Sequence, residues 1–93
     1  MRNRIYTALI DNGYTEKSAN CVLEELLHLS YPLDTYLAEW INNGNCKDFI
    51  FDEFSVCDFQ KKRRMNYPAA LLTMDWLIKE PEKAKESLLR GIR

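Results

Sequence analysis

Tyr67-Pro68-Ala69-Ala70-Leu71-Leu72-Thr73-Met74-Asp75-Trp76-Leu77-Ile78-Lys79 is the stretch that decides the fold. At helical spacing, Ala69, Leu72, Trp76 and Leu77 share one face, and Leu71, Met74 and Ile78 make a second. A helix that is apolar on two faces is packed on both sides. Residues 68–79 are therefore expected to form the central helix, with Trp76 in the core. Pro68 pre-sets the first turn. Pro81 cannot continue the helix without loss of a backbone hydrogen bond, which places a boundary at Glu80.

The same stretch has an echo upstream. Cys21, Tyr31-Pro32 and Trp40 reappear as Cys57, Tyr67-Pro68 and Trp76, all at an offset of 36 residues, and Glu39 answers Asp75 at that offset. A helix–turn–helix unit occupies about that length, so the spacing suggests two stacked or pseudo-symmetric helical hairpins. The repeated letters are a helix-starting proline and core-anchoring aromatics. They speak of architecture rather than chemistry, and Trp40 is expected in the core beside Trp76.

Working outward, the remaining chain reads as helices. A first helix over 3–11 ends at Asn12-Gly13, where glycine supplies a left-handed cap. Thr15 caps a second, running to about residue 29, whose apolar positions Ala19, Val22, Leu23 and Leu26 follow the helical period. Cys21 falls inside it, where a free cysteine behaves as a small hydrophobe. Pro32 starts a third, carrying Leu33, Tyr36, Leu37, Trp40 and Ile41 up to a stop at Gly44. Residues 45–54 fit a short helix, although Phe49-Ile50-Phe51 alone also fits an extended run. Ser55 with Asp58 forms a capping box for a helix to about Met65. A last helix over 82–90 turns Ala84, Leu88 and Leu89 inward and ends at Gly91. The fold class expected is all-α, a single domain over residues 1–93 with five or six short helices.

Composition narrows the function classes. About 46% hydrophobic residues in a 93-residue chain suffices for one modest core without staples. No apolar run follows the N-terminus as in a secretory signal, and none reaches membrane-spanning length, so a cytoplasmic protein without a membrane partner is expected. Three cysteines with no CxxC pair do not make a disulfide framework; Cys46, near a loop, is the best candidate for a reactive thiol. The single histidine, His28, lies seven positions from Cys21, about 10 Å along a helix axis, too far for a thiolate–imidazole pair. No Cys/His spacing fits zinc and no glycine-rich loop fits a nucleotide. Neither a catalytic group, a metal nor a cofactor is expected, and the chain does not read as an enzyme.

Charge is segregated. Residues 1–60 carry four basic against ten acidic side chains, whereas residues 61–93 carry nine against four. Such asymmetry either marks a face for a charged partner or is satisfied internally, one half facing the other. Lys61, Lys62, Arg63 and Arg64 could grip phosphates. Four consecutive residues span most of a helix circumference, however, and cations in a last helical turn already suit the macrodipole. The other candidate patch is Asp48-Phe49-Ile50-Phe51-Asp52-Glu53-Phe54. Its Phe49, Phe51 and Phe54 are either anchors for a partner or, as favoured here, a roof in which Phe49, Ile50 and Phe54 cover the core.

Leu9-Ile10-Asp11-Asn12-Gly13-Tyr14-Thr15, followed by Ala19, Val22-Leu23 and Glu39-Trp40-Ile41, resembles a ubiquitin-associated (UBA) three-helix domain over residues 9–43. Asn12 stands where that family has its loop methionine. The resemblance implies three short helices at the start of the chain, with Gly13, Tyr14, Trp40 and Ile41 as ubiquitin-contacting positions.

The function expected is a small non-enzymatic interaction or regulatory module binding another protein. The alternative is an accessory nucleic-acid-binding protein using Arg2, Arg4 and the basic run 61–64. Because the central helix needs cover on both faces, the last helix is expected to supply it, which favours a monomer over a homodimer with a two-fold interface.

Overall fold

A computed structural model describes residues 2–90, with side chains from residue 4 onward. Six α-helices and one small hairpin follow one another: α1 (Arg2–Asp11), α2 (Glu16–Leu26), α3 (Leu33–Asn43), β1 (Ile50–Phe51), β2 (Phe54–Ser55), α4 (Val56–Lys62), α5 (Tyr67–Lys79) and α6 (Pro81–Arg90). The protein is all-α apart from that hairpin.

The central helix is where the sequence placed it. α5 packs against all five other helices and against β1. Its first turn is fixed by Asn66, whose side-chain oxygen accepts the Ala69 N–H at 2.9 Å while its amide donates to the Ala8 carbonyl at 3.1 Å. One side chain thus caps α5 and pins it to α1. Tyr67, Pro68, Ala70, Leu71, Met74 and Leu77 are fully enclosed. Trp76 departs from expectation. It is 36% exposed, because the stripe holding Leu72 and Trp76 is the sector of α5 that its neighbours leave open. Trp40 is half-buried, its ring 6.3 Å from that of Tyr67.

Helix ends follow their local chemistry. Gly13 (φ 93°) closes α1 in a Schellman motif, with Tyr14 N–H donating to the Leu9 carbonyl and Gly13 N–H to that of Ile10. Thr15 and Ser55 cap α2 and α4 by accepting from the backbones of Ser18 and Asp58. Gly44 (φ 79°) stops α3. Gly91, the expected stop of α6, lies outside the described residues.

Five expectations about the elements need correction. α2 ends at Leu26, not residue 29: the Leu27 and His28 N–H groups tighten onto the Glu24 and Glu25 carbonyls, which throws Leu27 outward and returns Leu29 to the core. Pro32 is the N-cap residue of α3 rather than its first helical residue. Residues 45–54 are not helical. Ile50 pairs with Ser55 and Phe51 with Phe54 across a two-residue turn in which Asp52 and Glu53 both have positive φ, the geometry that matches strand twist in tight hairpins. Leu89 points outward at 61% exposure, leaving Ala84 and Leu88 to bury α6 against the core. α4 also stops early, at Lys62, because Arg64 turns left-handed (φ 53°).

Candidate interaction surface

The open sector of α5 faces α2 across a groove of about 380 Å³ lined by Glu25, Leu72, Thr73, Asp75, Trp76, Lys79 and Glu80. Leu72, Trp76 and Glu80 are spaced at i, i+4 and i+8, so they form one stripe about 12 Å long at 1.5 Å per residue. Glu25 supplies the facing wall from α2.

Asp75 organises the groove's edge. It is 4% exposed, and its two oxygens are both engaged: Oδ1 accepts the Ser30 N–H at 2.9 Å, and Oδ2 meets the Lys79 ammonium at 2.8 Å. Lys79 also donates to the His28 carbonyl at 2.7 Å. A buried carboxylate is tolerable only when paired and hydrogen-bonded. Here the pairing fastens the loop after α2 to α5. That loop carries Leu27 and Tyr31, at 73% and 82% exposure, so two large apolar side chains stand on a segment tied to the groove's wall.

The hairpin is held differently. The Asp48 Oδ1 accepts from Phe49 N–H (2.8 Å), the Ser55 hydroxyl (2.8 Å) and Cys57 N–H (3.0 Å). Burial alone would raise the Asp48 pKa, but these hydrogen bonds outweigh it and hold the carboxyl below its ordinary value. The Cys57 thiol is pushed up, first by burial and then by the neighbouring Asp48 carboxylate. Burial likewise pushes the Tyr67 hydroxyl well up, and the hydroxyl donates to the Lys47 carbonyl at 2.6 Å. Phe49, Phe51 and Phe54 are half-buried and packed against the core, Phe49 edge-on to Tyr36 and Phe54 stacked on Phe59. Ile50, grouped with them as part of the roof, is the side chain that points away, at 69% exposure.

The basic run is split by its geometry. Lys61, Lys62 and Arg64 are exposed. Arg63 is half-buried, donating to the Leu88 carbonyl at 2.9 Å and lying 6.0 Å from the Phe59 ring centre, where it joins α4 to α6. Among the described residues, the other C-terminal cations have acidic partners nearby: Lys79 with Asp75, Lys83 with Glu80, Arg90 with Glu86, and Lys85 with Asp52. Only the last of these joins the basic half to the acidic half. Arg2, named with this run as a phosphate contact, has its side chain outside the described residues, and Arg4 is occupied elsewhere.

The UBA-like positions fall around α1. Gly13 is exposed and Tyr14 packs on the core within the Schellman turn. The Arg4 guanidinium lies 5.0 Å from the Trp40 ring centre and donates to the Ile41 carbonyl at 2.8 Å. The cysteines are all free. Cys46 and Cys21 are exposed, the latter against expectation because it sits on the outer side of α2, and Cys57 is half-buried.

Among the described residues no group of three His, Cys, Asp or Glu side chains could hold a metal ion, and no helix is long and apolar enough to cross a membrane. No family model matches the chain, and comparison with curated proteins and with solved structures finds no match.

Sequence reasoning missed the groove by assigning Trp76 to the core. The signal was present in the residues that share its stripe. Lys79 and Glu80, on the sector of Leu72 and Trp76, mark a face that water reaches.

Proposed function

We propose that this chain is a small non-enzymatic interaction module that docks another protein in the groove between α2 and α5, with Trp76 as the anchor. The observation that carries this reading is the part-exposed Trp76 on the most enclosed helix of the molecule. Large aromatics in pockets are the residues that most often dominate binding energy at protein interfaces. Leu72 continues the apolar floor, and Leu27 and Tyr31 stand exposed on the loop that Asp75 and Lys79 tie to the groove's edge. The Asp75–Lys79–His28 connection holds that loop in place before any partner arrives, which lowers the ordering cost of association.

A paired pull-down from the native host tests the reading, with wild type and Trp76→Ala as baits and circular dichroism confirming that the variant is folded. Proteins retained by wild type and lost from the variant support the groove. Proteins retained equally by both baits refute it.

A second reading has its own observation. Lys61, Lys62 and Arg64 are exposed and have no ion-pair partner among the described residues. A nucleic acid bound there would show affinity falling linearly with salt on a log–log plot, with a slope of about −2 to −3 for three phosphates neutralised. Absence of binding to duplex or single strands at low salt removes this alternative.

A further inference from the structure

The two tryptophans of the repeat differ in what lies over them. Trp40 carries a cation of its own chain, the Arg4 guanidinium at 5.0 Å from its ring centre. Trp76 has no such cation among the described residues. The one ammonium lining its groove, Lys79, is already engaged by Asp75 Oδ2 and the His28 carbonyl.

The charges of the groove are then unbalanced. Asp75 and Lys79 cancel, and both Asp75 oxygens have partners. The Glu25 carboxylate is exposed with no hydrogen-bond or ion-pair partner among the described residues. Glu80 has only Lys83 at 3.9 Å, with both side chains more than half exposed, a contact that contributes little. Two available carboxylates thus border an indole whose face is itself electronegative.

We propose that the occupant of this groove is a basic segment of the partner protein, inserting an arginine or lysine side chain over Trp76 so that its head group reaches Glu25 and Glu80. This rests on the reading of the groove as the docking site and adds the chemistry of the occupant. A purely apolar insert would strip water from two carboxylates and return nothing to them. An acidic insert would be repelled. A long basic side chain satisfies both parts of the site, since its methylene stem lies on Leu72 and Trp76 while its charge meets the glutamates. Arginine fits best, because its planar guanidinium both stacks on indole and bridges carboxylates. The groove's volume, about 380 Å³, is near the low end for ligand pockets, which suits one large side chain and a small neighbour rather than a whole helix.

The probe is a phage-displayed library of random dodecapeptides, selected on the intact wild-type chain and re-measured as synthetic peptides. The expected result is enrichment of arginine or lysine beside apolar residues. Affinity should fall at least about tenfold in Trp76→Ala, the cost of losing a central anchor. It should fall about three- to tenfold in the Glu25→Gln, Glu80→Gln double variant and weaken with added salt. That double variant changes only exposed side chains, so it keeps the test informative if Trp76→Ala unfolds. Peptides that need Trp76 but carry no basic residue, or that ignore the two glutamates, overturn this inference and leave the groove as a docking site. Peptides indifferent to Trp76, or none recovered at all, overturn both.

Discussion

Residues 21–40 and 57–76 share four identical letters at one offset, yet their environments diverge at nearly every one. Tyr31 stands in solvent at 82% exposure, whereas Tyr67 is 2% exposed with its hydroxyl on the Lys47 carbonyl. Pro32 precedes its helix and Pro68 lies inside the first turn of one. Cys21 is exposed and Cys57 half-buried. Glu39 meets Lys47 at 3.9 Å near the surface, whereas Asp75 is buried and doubly paired. Trp40 is covered by its own chain's arginine and Trp76 is left open to a groove. The same residue therefore acquires its role from the number of elements around it. α5 is surrounded by the other five helices, and α3 is not.

The tyrosine pair should give the largest contrast. Tyr67→Ala removes an enclosed ring and its hydrogen bond, and is expected to cost about 3–5 kcal/mol, as large aromatic truncations in cores do. Tyr31→Ala should stay within about 0.5 kcal/mol, as exposed substitutions usually do. Urea unfolding monitored by circular dichroism reads both. Equal costs at the two sites would mean that the loop before α3 is packed far more tightly than its exposure implies.

The acidic pair comes next. Asp75→Asn keeps the shape but leaves Lys79 without its counter-charge and weakens the tie to Ser30, with an expected cost of about 1–3 kcal/mol. Glu39→Gln breaks a long surface contact and should cost at most about 1 kcal/mol. Amide exchange sharpens this comparison. The Ser30 N–H should lose protection in Asp75→Asn before the rest of the chain does, because the loop after α2 is fastened mainly through that carboxylate and the Lys79–His28 contact.

How much of this contrast could be read in advance depends on the range of the forces involved. Caps and stops act within one turn, so Thr15, Ser55, Gly13 and Gly44 announce themselves. The two-faced pattern of residues 68–79 likewise requires neighbours on both sides, and it located the core helix correctly. The hairpin was harder, since its turn is Asp52-Glu53 rather than the glycine- or asparagine-containing pairs that usually mark positive φ. It is held by Asp48 reaching Ser55 and Cys57, seven and nine positions on, beyond the single turn over which a cap acts. The groove was harder still. Whether Leu72 and Trp76 are covered is decided by where α2 ends, and that depends on Ser30 meeting Asp75 forty-five positions away.

Asp48 offers a smaller, pH-dependent test in the second half of the molecule. Its carboxyl is held below the ordinary value in the folded chain, so the ionised form stabilises the fold. That contribution is fully present above the unfolded-state pKa, about 4, and is lost as pH falls through the lower folded value. The side chain is exposed, so after solvent screening the effect is expected to be a few tenths of a kcal/mol. Stability measured between neutral pH and pH 3 should fall less steeply in Asp48→Asn than in wild type. Identical acid profiles for the two proteins would mean that the hydrogen bonds around Asp48 do not favour its charged form.

The cysteine pair should differ in rate without differing in stability. The thiolate is the species that alkylates, so both access and thiol acidity govern the reaction. Cys21 lies exposed on the outer side of α2. Cys57 is half-buried, and its thiol is pushed above the ordinary value by burial and by the Asp48 carboxylate. Iodoacetamide at mildly alkaline pH, followed by peptide mass mapping, should therefore modify Cys21 and the exposed Cys46 well before Cys57. Asp48→Asn separates the two causes acting on Cys57. If charge contributes, the variant's Cys57 reacts faster while Cys21 is unchanged. If Cys57 in wild type reacts as fast as Cys21, the β2–α4 junction opens readily, and the hairpin is held far more loosely than the three hydrogen bonds to Asp48 imply.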